Sequence, residues 1–417
     1  MSRPGSTRQD LRQSFTLQPD LVSDGRPVIV ACSGGGDSIA LLHMAVSSLG
    51  ADRVHVCTVN HNLRASAADE IALVERHTKK LGVSLRIVNW HWDGQGNLQA
   101  KASDARRGIL AEEAALWDAV TVLLGHTRDD NVESFLMALA RGSGIDGLRG
   151  MKAIDGLFQR PFLTTGRAEL RDWLRQEGLD WADDPSNEDV RFDRVKARKM
   201  IDILSGLGLT GQRIERTMHL MQAEAEDARL HVARAVKLHA EVRAGDLSVP
   251  VPDFLPELGE AGYLRLLAAI FCWFSGDGYK PRLDSVRMVR QRIDDGQSAS
   301  LSGVLVKPDL KRVVFRREPV AVTAPTALPL GAKDVTWDHR WQVTSYAPAR
   351  AGLMIGALNL GLDQCPNWRA SGHSRRSLET TPAIWRGEKV IAAPLAGLLN
   401  GWTATLRPTF AEFLDTH

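Results

Sequence analysis

Cysteine is nearly absent. Four occur in 417 residues, at Cys32, Cys57, Cys272 and Cys365, widely spaced and never as C-x-x-C, so neither a disulfide framework nor a cysteine zinc site is expected and a reducing compartment fits. Long apolar runs are missing as well: no eighteen consecutive apolar residues occur, and 1–20 has no continuous apolar core. Neither a membrane span nor a signal peptide is therefore read, and the expectation is a cytoplasmic protein with no membrane partner. An excess of either charge is lacking too. With 52 Lys+Arg against 50 Asp+Glu the net charge is +2, so a polyanion has to be met by a local basic patch. Internal repeats and low-complexity tracts do not occur, and 44% apolar with 24% charged residues excludes a disordered chain, a collagen or a coiled-coil rod.

The length is enough for two or three domains, each with its own core. From Pro27 to Arg141 the hydrophobic period switches between short apolar runs and helical spacing, which predicts an α/β doubly wound, mostly parallel sheet. Strands are expected over 27–32, 53–59, 84–90 and 119–125. Ile39, Leu42, Ala45, Val46 and Leu49 form one helical stripe between them, and Val132, Phe135, Leu136 and Leu139 another. A boundary is expected near 205, with a long mixed-charge helix over 210–243 opening a helical domain, 206–318. Pro319, Pro325 and Pro329 mark 319–336 as an extended linker to a small α+β domain, 337–417.

The strand ending at Cys32 runs into Ser33-Gly34-Gly35-Gly36-Asp37-Ser38, and a helical pattern starts at Ile39. Glycines let the backbone turn sharply and present N–H groups, and the helix N-terminus adds partial positive charge, so strand, loop and helix make a phosphate site. Ser33 and Ser38 can donate to phosphate. Asp37, an anion beside anions, fits a Mg²⁺ ligand; its alternative is a plain helix cap. The loop is not a Walker loop, because no Gly-Lys dipeptide exists in the chain. A nominal G-x-G-x-x-G at Gly142, Gly144 and Gly147 follows a helix, not a strand, so a dinucleotide fingerprint is discarded.

The S-G-G-G-D-S loop resembles that of the N-type ATP pyrophosphatases (PP-loop proteins), which cleave ATP to AMP and pyrophosphate and include GMP, asparagine and NAD synthetases and several tRNA-modifying enzymes. Two further motifs sit at strand C-termini, where open α/β sheets bind ligands: Asn60-His61-Asn62-Leu63-Arg64, and the run from Gly125-His126-Thr127 through Asp130 to Glu133. Arg141 to Met151, Arg160-Pro161-Phe162-Leu163, Asp183-Asp184-Pro185-Ser186-Asn187 and Arg194 to Arg198 follow in order. Over 26–200 the set resembles the tRNA(Ile)-lysidine synthetase family. The resemblance implies a ligase that uses ATP and Mg²⁺ to join the ε-amine of free lysine to C2 of the wobble cytidine in the CAU anticodon of an isoleucine tRNA. The cytidine oxygen attacks the α-phosphate, pyrophosphate leaves, and lysine then displaces AMP.

Roles follow from the resemblance and from the chemistry of each residue. Asp130 and Glu133, three apart on one helix face, can hold a lysine ammonium and help deprotonate it; the competing reading is a Thr127–Asp130 capping box with Glu133 complementing the helix dipole. Arg106 matches an arginine that the family aims at ATP phosphates, and Arg198 the last of its R-N-R-x-R run, both suited to bidentate phosphate binding. His61 and His126 flank the site as nucleotide binders or as satisfied loop histidines, not as metal ligands. The sequence departs from the family at Ser103, Arg107, Val195 and Lys196.

For RNA, 191–199 carries five basic residues against Asp193 alone, and 280–317 carries ten against four acids, a phosphate footprint. Trp337, Trp341, Trp368, Trp385 and Trp402, with Arg340, Arg369, Arg375, Arg376 and Arg386 near them, either stack on bases or build a small core. Two rival functions remain. A tRNA sulfur transferase needs a reactive cysteine pair, whereas Cys32 and Cys57 fall in predicted buried strands; a catalytically silent RNA-binding relative has no use for an intact loop and carboxylate pair. No feature points to a protein partner.

Overall fold

The computed structural model describes residues 11, 15, 17, 23–60, 67–92, 94, 98–183, 193–250, 257–276, 280–309 and 311–416. The chain divides into two compact units, Met1–Ala225 and Glu226–His417.

In the first unit strands and helices alternate: β1 (Val28–Ala31), α1 (Gly36–Leu49), β2 (Val54–Asn60), α2 (Ala67–Leu81), β3 (Ser84–Asn89), α3 (Leu98–Leu116), β4 (Thr121–Leu123) and α4 (Arg128–Ala140). After them come α5 (Ile145–Leu148), β5 (Ile154–Asp155), β6 (Phe158–Gln159), α6 (Arg167–Gln176), α7 (Asp193–Ser205) and the start of α8 (Gly211–His239). The sheet order is β3-β2-β1-β4-β6-β5, parallel throughout except for β5 against β6. All four β1 residues are buried, and alternate ones feed different cores. Val28 and Val30 pack with Ile39 and Leu42 of α1 and Leu170 of α6, while Ile29 and Ala31 pack with Leu110 and Ala114 of α3. Helices on both faces are what make these strands apolar runs rather than alternating ones. The chain moves outward from β1 to β3 and then returns to β4 on the other side of β1. The C-terminal ends of β1 and β4 therefore flank the switch point, where a crevice opens in such sheets.

The apolar stripe of α4 is built as the spacing predicts for Val132, Phe135 and Leu136, which meet Ile214 and Met218 of α8. Leu139, in its last turn, is exposed instead.

The second unit holds the rest of α8, then β7 (Glu241–Arg243), β8 (Asp246–Pro250), α9 (Gly259–Ser275), α10 (Leu283–Asp294), β9 (Ala299–Leu301), β10 (Val304–Pro308) and β11 (Arg312–Arg317). The expected helix over 210–243 stops at His239. Ala244 and Gly245, both at positive φ, make a two-residue hairpin turn between β7 and β8, and Ser302-Gly303 does the same between β9 and β10. Alongside its three helices the region thus carries a five-stranded antiparallel sheet, ordered β7-β8-β11-β10-β9, with the helices packed on one core.

Residues 319–336 open on a 3-10 turn, Pro319–Ala321, and then pair in part: β12 (Thr326–Ala327) joins β15 (Met354–Ala357), and β13 (Asp334–Trp337) joins β14 (Trp341–Ser345). With β16 (Pro382–Arg386), β17 (Lys389–Ala392) and β18 (Trp402–Leu406) they form sheets ordered β12-β15-β16-β17 and β13-β14-β18. Short α11 (Arg375–Leu378) and terminal α12 (Phe410–Thr416) complete the unit. Trp337, Trp341 and Trp402 are core residues here, which leaves Trp368 and Trp385 as the partly exposed pair. Arg340 is likewise not a surface charge. It is buried against Trp273 and Phe274, donates to the Gly245 carbonyl at 2.9 Å and lies 3.9 Å from Asp338. Arg316 and Arg317 are also committed, to Asp246 and Asp338, so the 280–317 footprint is smaller than its composition implies. Among the described residues no helix is long and apolar enough to cross a membrane.

Candidate active site

Loop 33–38 turns directly from β1 into α1. Gly34 sits at φ +87°, and a Cβ there would lie 3.0 Å from the Glu70 carbonyl oxygen, so the loop needs glycine at that position on both counts. Ser38 is buried and donates to the Gly35 carbonyl at 2.8 Å while accepting from the Ser33 N–H at 3.2 Å; its hydroxyl holds the loop shut. Ser33 is exposed and carries the hydroxyl that can reach a ligand. The first turn of α1, from Gly36, has no side-chain cap, leaving N–H groups for an anion. Gly125, at the end of β4, comes so close that a Cβ would stand 3.2 Å from the Asp37 backbone.

Asp37 opens an acid cluster with the N-terminal turn of α4. The capping box is present: the Thr127 backbone N–H and hydroxyl donate to Asp130 Oδ2, both at 2.8 Å. That does not exclude the ligand reading, because the cap uses one oxygen and aims Oδ1 into the cluster. There Oδ1 accepts from Arg167 Nη2 at 2.8 Å. The same guanidinium donates through Nη1 to Glu133 Oε1 and through Nε to Asp37 Oδ2, each at 3.3 Å, and the Arg167 backbone N–H donates to Asp129 Oδ2 at 2.7 Å. Glu133 Oε1 also accepts from Arg198 Nε at 2.9 Å. Two buried oxygens, Asp37 Oδ1 and Glu133 Oε2, have no hydrogen-bond partner. Burial pushes the Asp37 carboxyl up to about 6, with Asp130 adding and Arg167 opposing. For Asp130 burial is outweighed by Arg167 and the Thr127 donors, which hold it below the ordinary value.

Basic groups surround His126. Burial pushes this imidazole down to about 4, and Arg160, Arg106 and Arg194 push the same way against Asp130. It is neutral near pH 7, with Nδ1 buried and unpartnered. Burial also lowers Arg106, and no carboxylate among the described residues pairs with it. Arg160 donates to the Lys152 carbonyl at 2.8 Å and stands 3.7 Å from Asp155. An anion would offset the charge of Arg106, while a cation would satisfy the orphaned acid oxygens.

Asp37, Asp130, Glu133 and Arg198 thus come together, with Arg106 and His126 on the basic side. Arg198 lies on a carboxylate in this state rather than free for phosphate. His61 and 184–192 lie outside the described residues. Sequence reasoning missed Arg167, Asp129 and the contribution of Arg160. The signal for Arg167 was there: a cation in the first turn of a helix stands at the unfavourable end of its dipole. No group of three or more His, Cys, Asp or Glu side chains placed to hold a metal ion occurs among the described residues. Mg²⁺ takes one or two carboxylates plus phosphate oxygens and water, and the orphaned Asp37 Oδ1 is a hard oxygen donor.

The family model for the PP-loop domain matches residues 7–203. A tRNA(Ile)-lysidine synthase of Ruegeria pomeroyi is 38% identical over 410 residues, covering 97% of this chain and 95% of the relative. Those of Wolbachia pipientis wMel and Rhizobium meliloti are each 30% identical over 349 residues, covering 79% and 78% of this chain and 80% and 74% of theirs.

Proposed function

Because the chain belongs to the tRNA(Ile)-lysidine synthase family, we propose that it joins the ε-amine of free lysine to C2 of the wobble cytidine in the CAU anticodon of an isoleucine tRNA, with ATP and Mg²⁺. The observation that carries this reading is the division of charge at the switch point: Arg106, without a carboxylate partner among the described residues, acts on Cys32 at the head of the glycine loop, and buried carboxylate oxygens of Asp37 and Glu133 stay orphaned. A triphosphate and an ammonium are the ligands that such halves take.

Two displacements are needed. In the first, the cytidine oxygen forms a bond to the α-phosphorus as the bond to pyrophosphate breaks. Backbone N–H groups of 34–37 at the open end of α1 hold the phosphates, Ser33 donates to them, and Arg106 and Arg160 meet charge that develops on the phosphoryl oxygens. Neutral His126 can bond a nucleotide group without adding charge. Asp37 would hold Mg²⁺ through its carboxylate, and the bound ion supplies neutralisation of the triphosphate and of departing pyrophosphate. In the second, the lysine nitrogen attacks C2 and AMP leaves with the electron pair of the C–O bond. Asp130 Oδ1 and Glu133 orient the ammonium, and Glu133 Oε2, buried and unpartnered, accepts the proton that the amine gives up.

Residues 1–205 are assigned to the ATP-pyrophosphatase domain, and 206–318 and 337–417, joined by 319–336, to holding tRNA. The tRNA assignment is supported by the exposed Arg369, Arg376 and Arg386 and by Arg369 lying 4.6 Å over the Trp368 ring, whereas Arg375 is committed to Asp363 and Glu379. Sulfur transfer is disfavoured by the thiols themselves: burial pushes Cys57 up to about 12 and raises Cys32, the opposite of activation. Incubating the protein with ATP, free lysine and a CAU-anticodon tRNA tests the proposal. AMP and pyrophosphate are expected, and ADP with phosphate would sink it.

A further inference from the structure

Arg167 is placed unlike any other cation of the site. It holds the first position of α6, where the dipole disfavours positive charge, and each of its three guanidinium nitrogens donates to a different carboxylate: Asp37, Asp130 and Glu133. Its backbone N–H is fixed by Asp129 at 2.7 Å, so the side chain projects into the cluster from an anchored base. These three carboxylates span both halves of the reaction assigned above, one toward the nucleotide and two toward the amine. Their charge is only partly met. Besides Arg167, the only cation among the described residues that donates to them is Arg198, on Glu133; Arg171 acts on Asp37 from a distance, and Asp37 Oδ1 and Glu133 Oε2 stay unpartnered.

We propose that Arg167 is an internal cation that occupies the acid cluster before substrates arrive, so that a divalent ion and the lysine ammonium bind by taking over carboxylates it now holds. The inference rests on the reading of Asp130 and Glu133 as the carboxylates for lysine. Arg167 is a positioning residue in this scheme. It keeps three like charges within reach of one another in the free protein, and it lowers their affinity for stray cations until tRNA and ATP are in place. A fork that spans both carboxylate sets also makes the two cation sites compete for one partner.

The test compares wild type with Arg167→Gln and Arg167→Lys at one pH, without nucleotide. Mn²⁺ binding is read by water-proton relaxation, and L-lysine binding by calorimetry. Loss of a unit charge about 4 Å from each site should tighten Mn²⁺ and lysine binding by about tenfold or more in the Gln variant. The Lys variant, which keeps the charge, should stay within about threefold of wild type. Weaker binding of both cations in the Gln variant, unchanged binding, or failure to recover it folded would assign Arg167 to structure alone and overturn the proposal. Lysine transfer by wild type is run in parallel. Its absence would defeat the functional reading while leaving the Mn²⁺ comparison to judge Arg167.

Discussion

Replacing Glu133 by Gln keeps the shape of the side chain and removes its charge. At 1% exposure the carboxylate has no solvent to replace what is lost, and its oxygen Oε1 now accepts from both Arg198 and Arg167. A lysine ammonium brought to about 4 Å gains about 4 kcal/mol at an effective dielectric of 20. The two arginines offset part of that, leaving about 2 to 3 kcal/mol, or a rise of about 30- to 140-fold in the lysine KM. The first half-reaction should be spared. The charge state of Asp37 is set by burial, Arg167, Asp130 and Arg171, so tRNA-dependent pyrophosphate release should stay within about tenfold of wild type. Single-turnover assays with labelled ATP, followed by a lysine chase, separate the steps. Loss of adenylation with an unchanged lysine KM would place Glu133 in the nucleotide site or in helix structure and refute the division of labour. Asp130→Asn should also lose lysine transfer, but less cleanly, because Asp130 acts on Asp37 as well.

Asp37→Ala should abolish ATP cleavage between the α- and β-phosphates, read as lost AMP release, while the fold, read by circular dichroism, persists. In Gly125→Ala the new Cβ meets the Asp37 backbone at 3.2 Å, and shifting α1 at a cost of about 1–3 kcal/mol should weaken ATP binding in equilibrium dialysis. His43 is pushed down to about 4 by burial and by His77 and Lys80, with Glu177 opposing. The unfolded chain therefore takes up its proton first, and stability held above pH 6.5 is lost as pH falls toward 4; urea unfolding of His43→Gln should recover about 1 kcal/mol of that loss after solvent screening. Replacing Arg369, Arg376 and Arg386 by Ser should reduce the salt slope of tRNA binding by about 2 to 3, and an unchanged slope would show that the RNA is held elsewhere.

What could be read without coordinates follows from the range of each interaction. The strand, glycine loop and helix at 28–49 are local, and period and turn chemistry determine them together. Thr127 and Asp130 are three residues apart, so cap and ligand were both legible; only the structure shows that the cap occupies Oδ2 while Oδ1 faces Arg167. Arg167 lies 130 positions from Asp37, and no local pattern connects them. The five-stranded sheet of the second unit escaped because Ala244-Gly245 and Ser302-Gly303 are weaker hairpin signals than Asn-Gly and sit beside long helical periods. Arg340 reads as a surface charge in a basic stretch, yet it is buried because Asp338 and the rings of Trp273 and Phe274 surround it, and composition does not report burial.

The central claim is tested most directly on the RNA product. CAU-anticodon isoleucine tRNA is incubated with the protein, ATP, Mg²⁺ and isotopically labelled lysine, then digested to nucleosides and analysed by mass spectrometry. The account predicts one labelled nucleoside per tRNA, derived from the wobble cytidine, with AMP and pyrophosphate released in equal amounts. An unmodified wobble cytidine, or label recovered as an ester on the tRNA 3′ end, would contradict it.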